Sequence, residues 1–93
     1  MKHQTISMTR KIHLQRLGAI AQYLSNRPHS KREIIEKLRD RFDHEYSPSQ
    51  IEKDLFCLKE DFDAPIMCDR KSKTYMLVSK WDFGTAILNY LAA

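Results

Sequence analysis

The sequence predicts a mainly α-helical domain that carries a small β-hairpin, and three observations predict it. Ser30-x-x-Glu33 and Ser47-x-x-Gln50 each set a hydroxyl three residues ahead of a Glu or Gln, directly before an apolar run. That pattern marks a helix start, because side chain and backbone can satisfy each other's free N–H groups there. Behind both starts the apolar residues recur at helical spacing. After Pro65 the pattern changes to two short β-prone stretches, "IMCD" and "TYMLVS", separated by the basic "RKSK", as in a hairpin.

The elements follow in order. Thr9 is the expected cap of a first helix whose apolar positions are Ile12, Leu17, Ile20, Ala21 and Leu24. "SNRPHS" breaks that helix, since Pro28 disfavours a helical conformation at Arg27. Ser30 caps the second helix, with Ile34, Ile35, Leu38 and Phe42 as its buried stripe, and "DRFDHEY" reads as a helix end and a turn. In the third helix Ser47 is the cap, Pro48 takes the first helical position, and Gln50 closes a second capping box. Ile51, Leu55, Leu58 and Phe62 form its core face, with Ser49, Lys53, Phe56 and Glu60 opposite. Past the hairpin, Trp81 and Phe83 are expected anchors, followed by a helix of about eight residues over Ala86, Ile87, Tyr90 and Leu91. Helix–helix–helix–hairpin–helix is the order of a winged helix-turn-helix: a three-helix core, a two-stranded wing and a C-terminal helix. The expected division is an N-terminal arm over 1–8, the winged helix-turn-helix over 9–80 and a C-terminal segment over 81–93.

The bulk properties bound the function. A chain of 93 residues can bury one core and not two. With 42% hydrophobic and 30% charged residues it is globular in composition. No apolar run approaches the roughly 20 residues of a membrane span, and "MKHQTISMTRK" has no apolar signal segment, so a cytoplasmic protein is expected. Cys57 and Cys68 stand eleven apart outside any CxxC pair, and His3, His13, His29 and His44 are scattered, so buried or half-buried free thiols are expected and a metal site is not. With two glycines and no nucleophile–base arrangement, neither an enzyme, a cofactor nor a small-molecule ligand is expected.

Charge is distributed unevenly. Residues 1–39 hold nine Lys/Arg against Glu33 and Glu36; residues 40–63 hold three basic against eight acidic residues; residues 64–93 return to a slight basic excess, with Arg70, Lys71 and Lys73 in four positions. A basic face on a small domain is the electrostatic footprint of a nucleic-acid binder. In a winged helix the third helix enters the major groove. Ser49 and Gln50 are then placed to meet base edges, Gln50 through an amide able to pair with adenine, and Lys53 to reach a base or a phosphate. Ser47 and Gln50 are accounted for equally well as cap and capping box. Lys31 and Arg32 open the second helix, where cations and backbone amides can cooperate on a phosphate. Arg70, Lys71 and Lys73 form the wing tip, facing the backbone or minor groove. Arg10, Lys11 and Arg16 are weaker candidates, and pairing of one of them with Asp54 accounts for a carboxylate on such a helix. Of the acidic block, only Glu52 and Asp54 occupy the part of the third helix that would approach DNA. Asp40, Asp43 and Glu45 belong to the turn and the end of the second helix, and Glu60, Asp61 and Asp63 lie at the far end of the third, where charges further than about 8–10 Å are largely screened at physiological salt.

At "SPSQIEKDLFCL" the chain resembles the recognition helix of DeoR-like winged helices, especially those at the N-terminus of WYL-domain transcriptional regulators, whose pattern is roughly S-x-x-T-I-x-R-D-[IL]-x-x-L. Ser47, Ile51, Asp54, Leu55 and Leu58 match it, Gln50 stands where Thr is usual, and Lys53 replaces Arg. "DAPIMCDRKSKTYML" looks like the family's wing, and "RKIHLQRLGAIAQYL" like its first helix, so the likeness covers residues 9–78. Glu52 and Phe56 depart from the family pattern, which favours polar or basic residues there. The resemblance implies a sequence-specific, repressor-like regulator of double-stranded DNA, with 48–61 as recognition helix and 70–73 as basic wing. The chain stops where a WYL domain would begin, so either a free-standing regulator or the head of a longer one is expected. A homodimer through Trp81, Phe83, Ile87, Tyr90 and Leu91 would set two recognition helices on a two-fold site; the alternative is that the last helix folds back on the first. The alternative function is a winged helix used for protein–protein interaction, for which Glu52 and Phe56 argue.

Overall fold

Helix α1 runs from Met8 to Asn26 in a computed structural model of the chain, which describes residues 8–92. The N-terminal arm expected over 1–8 therefore lies outside the described residues except for Met8. Thr9 sits inside the helix, and a residue preceded by a helical one cannot hold the extended conformation of a cap; the expected Thr9 cap is corrected. Leu17, Ile20, Ala21 and Leu24 are buried as expected, but Ile12 is 38% exposed. Five residues before Leu17, it is rotated about 140° away from the core side.

β1 (His29–Ser30) follows, then α2 (Lys31–Phe42), α3 (Pro48–Glu60), β2 (Ile66–Asp69), β3 (Thr74–Leu77) and α4 (Phe83–Ala92). α1, α2 and α3 close on a core built from Leu17, Ile20, Leu24, Ile34, Leu38, Ile51 and Leu58, with Leu55 and Phe62 beside them. Full burial of each such side chain contributes about 1.5–3 kcal/mol. All four expected core positions of the third helix are buried. Of the second helix's stripe, Ile34 and Leu38 are fully buried and Ile35 and Phe42 pack at its edge.

α2 begins with both bonds of its capping box: the Glu33 N–H donates to the Ser30 hydroxyl at 3.1 Å, and the Ser30 N–H donates to Glu33 Oε1 at 2.9 Å. The same Ser30 is the last residue of β1, which pairs with β3 in antiparallel register, His29 opposite Tyr75 and Ser30 opposite Thr74. The expected two-stranded hairpin is thus part of a three-stranded antiparallel sheet of order β1-β3-β2. Sharing Ser30 between strand and cap ties the hairpin directly to the start of α2. His29 is fully buried at this junction, with Nδ1 2.8 Å from the Arg27 carbonyl and Nε2 2.8 Å from Lys37 Nζ. A carbonyl only accepts, so Nδ1 carries the hydrogen and Nε2 accepts from the ammonium.

The hairpin tip closes between Asp69 and Thr74, which are partners in the β2–β3 ladder. Lys73 takes a left-handed conformation (φ 56°), its N–H returns to the Asp69 carbonyl at 2.7 Å, and the Asp69 side chain accepts the Lys71 N–H at 3.0 Å. This Asx turn holds Arg70, Lys71 and Lys73 in a short exposed arc. α2 ends on Asp43, also left-handed (φ 53°), whose N–H bonds the Arg39 carbonyl.

Asp82 starts α4, accepting the Thr85 N–H at 2.8 Å and its hydroxyl at 3.0 Å; the backbone donor holds its carboxyl below the usual range. The helix folds back on its own chain. Phe83 lies against Gly18 of α1, where a Cβ would come within 3.2 Å of the ring, and Phe62 meets the rings of Phe83 and Tyr90 at 5.5 and 4.9 Å. The Trp81 indole N–H donates to the Phe62 carbonyl at 3.0 Å. Trp81, Phe83 and Ile87 are accordingly half-buried against their own chain, while Leu88 (68%) and Leu91 (71%) stay exposed. No described helix is long and apolar enough to cross a membrane.

Candidate nucleic-acid interface

The outward face of α3 follows from its inward one. With Ile51, Leu55 and Leu58 fixed in the core, the opposite stripe Ser49, Glu52, Lys53 and Phe56, spaced i, i+3, i+4 and i+7, is left exposed. Ser47 caps the helix, its hydroxyl accepting the Gln50 N–H at 3.1 Å. The second capping box is not closed: the Gln50 amide nitrogen donates instead to Asp54 Oδ1 at 3.0 Å. A closed box needs the Gln50 side-chain oxygen to accept the Ser47 N–H; a buried, charged acceptor for the amide N–H instead draws the side chain to Asp54.

Asp54 is fully buried, and the expectation that a cation of the first helix pairs with it holds for Arg16. The Arg16 guanidinium takes both oxygens, Nε to Oδ2 at 2.5 Å and Nη2 to Oδ1 at 3.0 Å. His13 Nδ1 lies 3.0 Å from the same guanidinium, and the Tyr46 ring stacks 4.8 Å from it. Burial works against the charged Arg16, but the hydrogen bond and charge of Asp54 outweigh it and raise its affinity for the proton. A buried ion pair is tolerated when its remaining hydrogen-bonding capacity is filled, and among the described residues no buried side-chain nitrogen or oxygen lacks a partner.

Glu52, the other acid on this part of α3, is 21 residues from its partner in sequence: the Lys31 ammonium donates to Oε2. That hydrogen bond is the main reason the Lys31 ammonium is held above its ordinary range. Lys31 and Arg32 also line a shallow depression between the start of α2 and the hairpin, together with Ser30, Cys68, Arg70, Lys73 and Tyr75. Cys68 and Tyr75 are cross-strand partners at its floor, and burial pushes the Tyr75 hydroxyl upward.

The sequence candidates thus fall into three groups. Arg32, Arg70 and Lys73 converge on the depression, Lys71 is exposed on the tip, and Lys53 is exposed on α3 beside the Lys31–Glu52 bridge. None of these five makes an ion pair among the described residues, whereas Arg27 pairs with Glu33 and Arg39 with Glu45. Ser49 is exposed and open. Ser47 and Gln50 are engaged within the chain, one in the cap and the other on Asp54. Glu60 and Asp61, at the far end of α3, stand about 16 Å along the helix from Ser49, two screening lengths away. The bridge between Lys31 and Glu52, and the contribution of Tyr75 and Cys68, had no local sequence signal; only the spacing of Ser49, Glu52 and Lys53 on one helical face hinted that Glu52 belongs to the surface.

Compared with models of known protein families, with curated proteins and with solved structures, the chain matches none. Chemically the surface offers unpaired cations beside a helix N-terminus, suited to phosphate oxygens, and an exposed helix face carrying a hydroxyl, a carboxylate and an ammonium.

Proposed function

We propose that the chain is a winged helix-turn-helix of the DeoR-like type that reads double-stranded DNA as a sequence-specific, repressor-like transcriptional regulator in the cytoplasm. α3 enters the major groove, and the 70–73 hairpin tip lies on the flanking backbone or in the minor groove. One observation carries the reading: Arg32 of α2 and Arg70 and Lys73 of the hairpin, none of them in an ion pair among the described residues, line one depression with Lys31, whose ammonium reaches Glu52 on the exposed stripe of α3 beside the equally unpaired Lys53. Two copies joined through the C-terminal segment would read a two-fold site; the exposed Leu88 and Leu91, with Tyr90, are the side chains available for that contact.

Five phosphate contacts give a salt slope of about −4.5, so affinity for duplex falls roughly 500-fold between 50 and 200 mM salt. Selecting bound duplexes from a random pool and titrating the winner with salt tests this, and a palindromic winner supports the dimer. Phe56, 66% exposed on the same stripe, favours a second reading in which this face binds a protein. Binding of that kind is nearly indifferent to salt, and failure to retain any duplex at 50 mM would leave it as the better account.

A further inference from the structure

Resting on the DNA-reading role proposed above, we infer that Glu52 is a specificity-determining residue that accepts a hydrogen bond from the exocyclic amino group of cytosine, and that Lys31 is the residue that positions it. Glu52 lies in the middle of the exposed stripe, between Ser49 and Phe56 and next to Lys53. A carboxylate there is repelled by phosphates unless its charge is offset, and a Glu left free would also swing between rotamers. Lys31 answers both problems. Reaching over from the first residue of α2, its ammonium takes Oε2 and leaves Oε1, on an exposed side chain, without a hydrogen-bond donor among the described residues.

The resulting pair is electrically neutral, so it does not oppose the phosphate contacts of Arg32, Lys53 and the hairpin. The Glu52 carboxylate within it still presents an acceptor oxygen and carries no donor of its own. In the major groove, acceptor-only groups suit amino groups, which only cytosine N4 and adenine N6 provide. Adenine sets its N7 acceptor beside that amino group, against the second lone-pair region of a carboxylate, whereas cytosine offers an apolar C5–H there. Cytosine is therefore the base that fits. The assignment also separates two neighbours expected to act alike: Arg32, exposed and unpaired, remains the phosphate contact at the start of α2, while Lys31 is committed to Glu52.

The experiment uses the whole chain. Duplexes are selected from a random pool with the wild type; the winner and every single-base-pair variant of it are then titrated with wild type, Glu52→Gln, Lys31→Met and Lys31→Arg. The expected result is one C·G position at which the wild type discriminates by roughly 5- to 150-fold. Glu52→Gln moves that preference to A·T, because an amide both donates and accepts. Lys31→Met flattens it, and Lys31→Arg restores it, with melting temperatures unchanged; a merely structural Lys31 would not alter base preference at one position. Glu52→Gln that tightens binding to every duplex equally, with the base preferences of the wild type retained, would overturn the inference and make Glu52 a simple electrostatic brake. Wild type that binds no duplex at 50 mM salt overturns the DNA-reading role itself, a result visible before any variant is measured.

Discussion

The guanidinium of Arg16 on α1 holds the buried carboxylate of Asp54 on α3 through both of its oxygens. The contact spans 38 residues of sequence and turns a carboxylate on the outward-bound helix into an inward strut. It also recruits Gln50, so the first turn of α3 is braced against α1 and not only against the apolar core.

Replacing Arg16 by Met is expected to destabilise the fold by about 3–5 kcal/mol, because it strands the Asp54 charge without its partner. Replacing both partners, Arg16→Met with Asp54→Leu, should recover most of that loss. Urea unfolding of the three proteins measures it, and a single variant as stable as the double one would contradict the buried-pair account.

Adjacent residues on α3 face opposite ways, and their truncations should differ accordingly. Leu55→Ala is expected to cost about 2–5 kcal/mol as a core cavity. Phe56→Ala should stay within about 0.5 kcal/mol of wild type, as exposed substitutions do. Equal losses at both positions, read by the same unfolding measurement, would mean that the helix is rotated.

Lys53→Ala combined with Arg70→Ala is expected to weaken duplex binding and to reduce the salt slope by about 1.8, two phosphate contacts' worth. Neither side chain has an ion-pair partner to lose among the described residues, so the melting temperature should hold. Binding that survives at physiological salt would place the interface elsewhere.

The two thiols should react very differently. Burial, and then the neighbouring Asp61, pushes the Cys57 thiol up to about 11, and its Sγ–H donates to Asp61 Oδ2 at 3.3 Å, whereas Cys68, against the expectation of a buried or half-buried thiol, is exposed on a strand of the hairpin. Since the thiolate is the reactive form, the half-buried Cys57 should resist alkylation at pH 8 and the exposed Cys68 should be modified first. Mass mapping of the adducts checks it. A raised folded value means that the proton is bound more tightly in the folded chain, so this contribution to stability is complete below about pH 9 and is lost as pH climbs towards 11. Cys57→Ala should remove that part of the alkaline decline in the urea midpoint.

If two copies associate through α4, Leu88→Glu with Leu91→Glu should give a single chain by sedimentation without loss of helix, because α4 docks on its own chain through Phe83 and Ala86. Wild type that already sediments as one chain would remove the dimer from the proposal.

Much of the architecture was readable in advance because its signals are local. Ser30 with Glu33, and Ser47 with Pro48, mark helix starts through bonds made within one turn, and the stripe Ile51–Leu55–Leu58–Phe62 states which side of α3 goes inward. Strand β1 had no such mark. Its two residues are a strand only because Thr74 and Tyr75, some 45 positions later, lie beside them, and Pro28 just before them reads as a break and nothing more. For the same reason the cap at Thr9 and the reciprocal bond of Gln50 failed: one depends on what precedes the helix, the other on a carboxylate made more attractive by being buried.

Local signals mark where α2 and α3 begin and which side of each is apolar, since helix caps and periodicity act between residues a few positions apart, whereas α4 starts at Phe83, ahead of the stretch over Ala86 to Leu91 in which its pattern is legible. The partners of the charged residues follow from the helix crossings: the pattern put one of Arg10, Lys11 and Arg16 on Asp54 without singling out Arg16, and gave no partner for Lys31. Arg16 could have met water, and Lys31 a phosphate; which carboxylate each one faces depends on how α1 and α2 cross α3, and no spacing along the chain encodes that.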